Sequence, residues 1–140
     1  MSEPAWSLHP QLAADATPVG DLALSRMLAI NAADYPWLIL VPRRMGVTEI
    51  IDLGDASAQL MTEIVLASRA LKDVTRCDKI NVAAIGNVVP QLHVHIVARW
   101  RADPLWPKPV WGAPARPGEA AAFGRFVGAI RVELGLAAVG

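Results

Sequence analysis

Apolar positions in this chain fall into short runs whose period changes along its length. Trp37-Leu38-Ile39-Leu40-Val41 is continuous and closed by Pro42, as a buried strand should be. Leu22 to Ile30 mixes apolar and polar positions near a period of two and predicts a strand before it. Asn31 to Pro36, rich in Asn, Asp, Ala and Pro, predicts the turn between them. From about residue 55 to 75 the period becomes helical: Leu60, Ile64, Ala67 and Leu71 recur at three- and four-residue spacing, with Met61, Val65 and Val74 widening the stripe. Asp55 or Ser57 is placed to cap that helix. Lys79 to Ile85 and Leu92 to Arg99 read as two more strands, and the short connection Gly86 to Pro90 favours their antiparallel pairing. A last helix runs from Gly118 to about Leu136, with Phe123, Val127, Ile130 and Leu134 on one face. Residues 1–20 read as a polar lead-in broken by Pro4, Pro10 and Pro18. Residues 101–118, with five prolines, Trp106 and Trp111, read as an ordered loop. Strands and helices that do not alternate regularly give an α+β class with an antiparallel sheet.

Composition narrows the function classes. A chain of 140 residues, 54% hydrophobic and 19% charged, is expected to form one domain spanning 1–140 and is not disordered. Thirteen basic residues balance thirteen acidic ones, so no net field favours nucleic acid or a membrane surface. The lone Cys77 excludes an intramolecular disulfide framework and a multi-cysteine zinc site. The first residues lack a basic start and an apolar run, and no apolar stretch is long enough to span a bilayer. A soluble, cytoplasmic protein is the expectation.

The chemistry concentrates in Gln91-Leu92-His93-Val94-His95-Ile96-Val97. Side chains alternate along a strand, so Leu92, Val94 and Ile96 face the core while Gln91, His93 and His95 share the opposite face, neighbours roughly 6–7 Å apart. A neutral imidazole can attack an electrophile through one nitrogen while the other donates to a carbonyl that fixes its tautomer. A second imidazole nearby can bind a phosphate oxygen or assist a leaving group. The same His-x-His pair can instead present two ligands to zinc. No Cys or acidic residue between Lys79 and Arg101 completes such a set, and the third histidine, His9, lies in the lead-in.

With Gly86-Asn87 and Val88 ahead of it, this run resembles the signature of the histidine triad (HIT) family, His-φ-His-φ-His-φ-φ with φ apolar. The resemblance implies an antiparallel sheet of about five strands with one long helix and a C-terminal helix, and a homodimer with the helix and neighbouring strands at the contact. It implies that His93 attacks the α-phosphorus of a nucleotide to give a nucleotidyl-histidine intermediate, and that His95 contacts the phosphate. Asn87 corresponds to a donor to the phosphates, Asn31 to the residue holding the ribose hydroxyls, and Asn81 to another polar residue of the pocket. For Asn31 and Asn81, turn or strand-edge chemistry is the competing reading. The chain departs from the signature at its first histidine, which is Gln91. An amide donates and accepts hydrogen bonds but does not titrate.

Arg99 shares the parity of His95 and is either a polyphosphate contact or a solvated strand end; Arg43 and Arg44 are similar and weaker. Trp106 and Trp111 form a lid over the nucleotide base, a dimer contact or a cover for the sheet. The leading function is therefore a hydrolase or nucleotidyl transferase acting at the α-phosphate of a purine nucleotide: a dinucleoside polyphosphate, phosphoramidate or adenylate. No cofactor is required, and magnesium would accompany only a polyphosphate. The alternative functions are a nucleotide-sensing module with little turnover, because Gln91 replaces a histidine, and a metal site on His93 and His95. If Gln91 merely stands in for a histidine, Gln91→His should leave turnover equal or higher.

Overall fold

The computed structural model describes residues 5–137. In chain order these form α1 (Pro10–Asp15), β1 (Thr17–Asp21), β2 (Ser25–Ile30), β3 (Trp37–Pro42), a 3₁₀ turn (Ile50–Leu53), α2 (Ala56–Thr75), β4 (Lys79–Ala83), β5 (Val94–Arg99) and α3 (Ala120–Leu134). The five strands make one sheet in the order β1-β2-β3-β5-β4, with every pairing antiparallel. This is the α+β class expected from the pattern.

The central strand explains its unbroken apolar run. Leu38 and Leu40 enter one core with Leu60, Ala67 and Leu71 of α2, while Trp37, Ile39 and Val41 enter a second core on the other face of the sheet. Both faces of β3 are covered, so no polar position is needed. Val127 and Ile130 close the first core from α3, with Phe123 and Leu134 packed at its edge. The helical stripe is narrower than the periodicity suggests. Met61 and Val65 are exposed, and the buried positions include a carboxylate, Glu63. Its two oxygens accept from the main-chain N–H groups of Leu24 at 2.7 Å and Ser25 at 2.8 Å, which ties α2 to the start of β2. Asp55 occupies the N-cap of α2 but makes no side-chain capping bond.

The N-terminal segment is the main correction to the sequence reading. Pro10 sits in the first turn of α1, where a missing N–H is harmless, and His9 caps that helix by accepting from Gln11 N–H at 3.0 Å. Pro18 lies in β1, an edge strand that tolerates proline, and the β1–β2 register shifts between Pro18 and Gly20. Trp6, Leu8 and Leu12 pack into the second core, so the lead-in is a cover for one face of the sheet. Pro4 lies outside the described residues.

Candidate active site

β5 pairs with β3 so that His95 lies opposite Ile39, and with β4 so that His95 lies opposite Ala83. His93 stands just before β5, only 7% exposed, and His95 is partly buried. Their ring centres are 5.0 Å apart at 69°. Both line a cleft of about 230 Å³ together with Ile85, Gly86, Asn87, Val88, Val89 and Trp111. Asn87, predicted as a phosphate donor, is therefore brought to the histidines.

Hydrogen bonds assign the two rings opposite tautomers. Nδ1 of His93 lies 2.7 Å from the main-chain oxygen of Gln91. A carbonyl only accepts, so Nδ1 carries the proton and Nε2 keeps a lone pair in the neutral ring. Nδ1 of His95 accepts from the indole Nε1–H of Trp37 at 3.0 Å. An indole only donates, so the neutral His95 ring carries its proton on Nε2. One imidazole offers a nucleophile or acceptor and its neighbour offers a donor.

His95 is held neutral. Burial, followed by the charge of a protonated His93, lowers its pKa from 6.5 to about 4. An NMR titration is expected to show His95 unprotonated, with the Nε2–H tautomer, from pH 8 down to about pH 5, and charging only near pH 4. The folded pKa is depressed, so the unfolded chain binds the extra proton between 6.5 and about 4, and this ring's contribution to stability falls as pH drops through that window. A midpoint near 6.5 in the folded protein would mean that the ring is solvated.

Trp37 and Trp111 complete the wall. The Trp111 ring meets His95 edge to face at 5.7 Å and Trp37 at 6.1 Å. Of the three readings for the tryptophans, Trp111 fits a rim on the site. Trp106 instead lies against Arg99, whose guanidinium carbon is 5.7 Å from its ring centre. The role of Trp37 was hidden in the sequence, where it appears as the first residue of an apolar strand. Only the β3–β5 register reveals that its face is the histidine face.

Three predicted site residues are not brought to this cleft. Arg99 and Asn81 lie on the histidine face but toward the far end of β5, in a buried cluster of their own. Arg99 donates to both oxygens of Asp103, at 2.8 and 3.0 Å, and to Asn81 Oδ1 at 3.0 Å. It is 1% exposed, neither a solvated strand end nor a free phosphate contact. Asn31 lies at the β2–β3 turn, beyond the Trp37 end of the sheet, where its amide donates to and accepts from the main chain of Gly118 at 3.2 and 3.0 Å. It lines a separate apolar cleft of about 180 Å³ with Ile30, Tyr35 and Phe123. Arg43 is likewise committed elsewhere, donating to Leu22 O at 2.6 Å and facing Asp21.

Gln91 is a correction of another kind. Its main chain orients His93, but its side-chain amide is engaged by the N-terminal segment. Oε1 accepts from His9 N–H at 2.8 Å and Nε2 donates to Ser7 O at 3.0 Å. The amide therefore does not occupy the role of a third catalytic imidazole.

Among the described residues, no group of three or more His, Cys, Asp and Glu side chains is placed to hold a metal ion. Nor is any described helix long and apolar enough to cross a membrane.

The HIT domain family matches residues 11–102 of the chain. Among solved structures, a histidine triad protein from Bradyrhizobium japonicum is 55% identical, covering 93% of this chain and 98% of that one, with a TM-score of 0.89. A histidine triad protein from Marinobacter aquaeolei VT8 is 38% identical over 96% of this chain and 100% of that one, also at 0.89. An AP-4-A phosphorylase of Mycobacterium tuberculosis is 40% identical over 80 residues, 49% of this chain. The match spans only 40% of that protein's length.

Proposed function

The chain belongs to the HIT domain family, and from that premise we propose that it is a nucleotide hydrolase or nucleotidyl transferase acting at the α-phosphate of a purine nucleotide through His93. The observation that carries this reading is the pair of opposite tautomers. The Nε2 lone pair of His93 attacks phosphorus, forming an N–P bond as the bond to the leaving group breaks. The ring then carries positive charge, and the Gln91 carbonyl at its Nδ1–H stabilises it. His95, neutral and protonated on Nε2, donates to a phosphate oxygen. Water then attacks phosphorus, the N–P bond breaks, and the mononucleotide leaves. Asn87, exposed at the lip of the cleft, supplies a further donor.

The partial match to an AP-4-A phosphorylase supports dinucleoside polyphosphates as a substrate class beside phosphoramidates and adenylates. The covalent step requires no cofactor, and magnesium would enter as the companion of a polyphosphate. Rapid mixing of the wild-type chain with an adenylylated probe should give a protein heavier by one adenylyl group within the first turnover. Tight nucleotide binding with neither adduct nor product would instead identify a sensing module. The lining of the cleft favours that second reading in one respect: none of its residues is charged, so no cation there neutralises a leaving polyphosphate.

We also infer a homodimer. β4 is an edge strand, and Val82 on it is exposed, as are Met61 and Val65 of α2. A groove of about 360 Å³ runs between the two elements, lined by Ile64, Val65, Ser68 and Ile80 together with the charged Arg69, Lys72 and Asp73. An open ladder beside a helix that exposes apolar side chains invites a second copy. Val65→Glu combined with Val82→Lys is expected to shift the sedimentation coefficient from dimer to monomer. A wild-type chain that sediments as a monomer at micromolar concentration would overturn the inference.

A further inference from the structure

The position where this chain departs from the triad signature is also the position that holds the N-terminal segment. Ser7 O and His9 N–H belong to one extended stretch, and the Gln91 amide bonds to both. The partners fix which end of the amide is which: a main-chain N–H must meet Oε1 and a main-chain carbonyl must meet Nε2. The side chain thus behaves as a short piece of backbone, adding one rung between residues 7–9 and the segment that leads into His93 and β5. Apolar contacts reinforce the rung, since Trp6, Leu8 and Leu12 pack in the second core and the Arg26 guanidinium lies 5.3 Å from the Trp6 ring. A histidine at position 91 offers one donor and one acceptor that diverge across its ring, so it could not serve both groups.

The main-chain oxygen of the same residue accepts the Nδ1 proton of His93. We propose that Gln91 is a positioning residue that couples the N-terminal segment to His93: its side chain anchors that segment, and the anchored residue holds the carbonyl that sets the nucleophile's tautomer. The proposal rests on the reading of His93 as nucleophile for its kinetic consequence, but not for its structural one. It reverses the expectation for Gln91→His, which should lower the rate of adduct formation.

The test compares wild type with Gln91→Ala, Gln91→Glu and Gln91→His by three measurements. In Gln91→Ala and Gln91→His, His9 amide exchange should rise by about tenfold or more as the rung is lost. The ¹⁵N signals of His93 should move from a single Nδ1–H form toward a mixture of tautomers. Adduct formation with an adenylylated probe should slow by about tenfold, with AMP affinity changed by less than about threefold, since no nucleotide contact is removed. Gln91→Glu keeps the acceptor for His9 but sets a carboxylate against Ser7 O, and should fall between. Protected His9 exchange in Gln91→Ala would show that the rung does not hold the segment. Faster exchange with an unchanged His93 tautomer would show a tether with no link to the nucleophile. Either result overturns the proposal. A wild-type chain that forms no adduct would sink the proposed function alone, since exchange and tautomer still decide the coupling.

Discussion

His93→Ala is expected to abolish the nucleotidyl adduct and to lower turnover of an adenylylated substrate by about three orders of magnitude or more, roughly 4 kcal/mol in the barrier. The size follows from what is lost. Without Nε2 no bond to phosphorus forms, and the remaining groups offer only binding and hydrogen-bond donation. The fold should survive, because His93 stands outside the regular part of β5 and its ring bonds to the carbonyl of Gln91, two residues away. AMP affinity should change little, since His95 and Asn87 remain at the cleft. His95→Ala is expected to retain the adduct at a reduced rate, because that ring donates and does not attack. Rapid-quench kinetics with intact-mass detection separates the two variants. A His93→Ala protein that still acquires AMP would place the nucleophile elsewhere.

How much of this could be read from the chain depended on whether a residue's role is set by its neighbours in sequence or by register. The apolar run at Trp37, the helical stripe through Leu60 and Leu71, and the alternation that separates His93 and His95 from Val94 and Ile96 are local patterns, and the structure contains each. Local pattern failed where one residue has two environments. Trp37 is both a core residue and the donor that sets the His95 tautomer, and only the pairing of β3 with β5 unites those roles. Glu63 looks like an exposed helix residue, because the N–H groups it satisfies lie 38 and 39 residues earlier. Prolines at 10 and 18 suppressed a helix and a strand, although both occupy positions where the missing N–H costs little. In the sequence, Gln91 shows only that it replaces a histidine of the signature. Its partners at Ser7 and His9 lie more than 80 positions away in a segment with no periodicity of its own.

Arg99 shows how burial reverses a functional expectation. Arg99→Met should destabilise the fold by about 3–5 kcal/mol, because it strands the Asp103 carboxylate in a site where the two side chains are 1% and 3% exposed. Asp103 does more than pair. It also accepts from the main-chain N–H groups of Trp100, Leu105 and Trp106, so it holds together the turn that follows β5. The Arg99 guanidinium also stands 5.3 Å from the Tyr35 ring centre, which couples that turn to the β2–β3 connection. Urea unfolding measures the cost, and adding Asp103→Asn should recover part of it by removing the unpaired charge. A phosphate-binding arginine would behave oppositely, weakening polyphosphate affinity while leaving the unfolding midpoint nearly unchanged. Acid gives a second check. The Arg99 hydrogen bonds lower the Asp103 pKa from 3.8 to about 2. Its folded pKa is depressed, so this pair's stabilisation is present above pH 3.8 and disappears as pH falls toward 2. Wild type should therefore lose stability more steeply than Arg99→Met across that window, and the two curves should converge at its acid end.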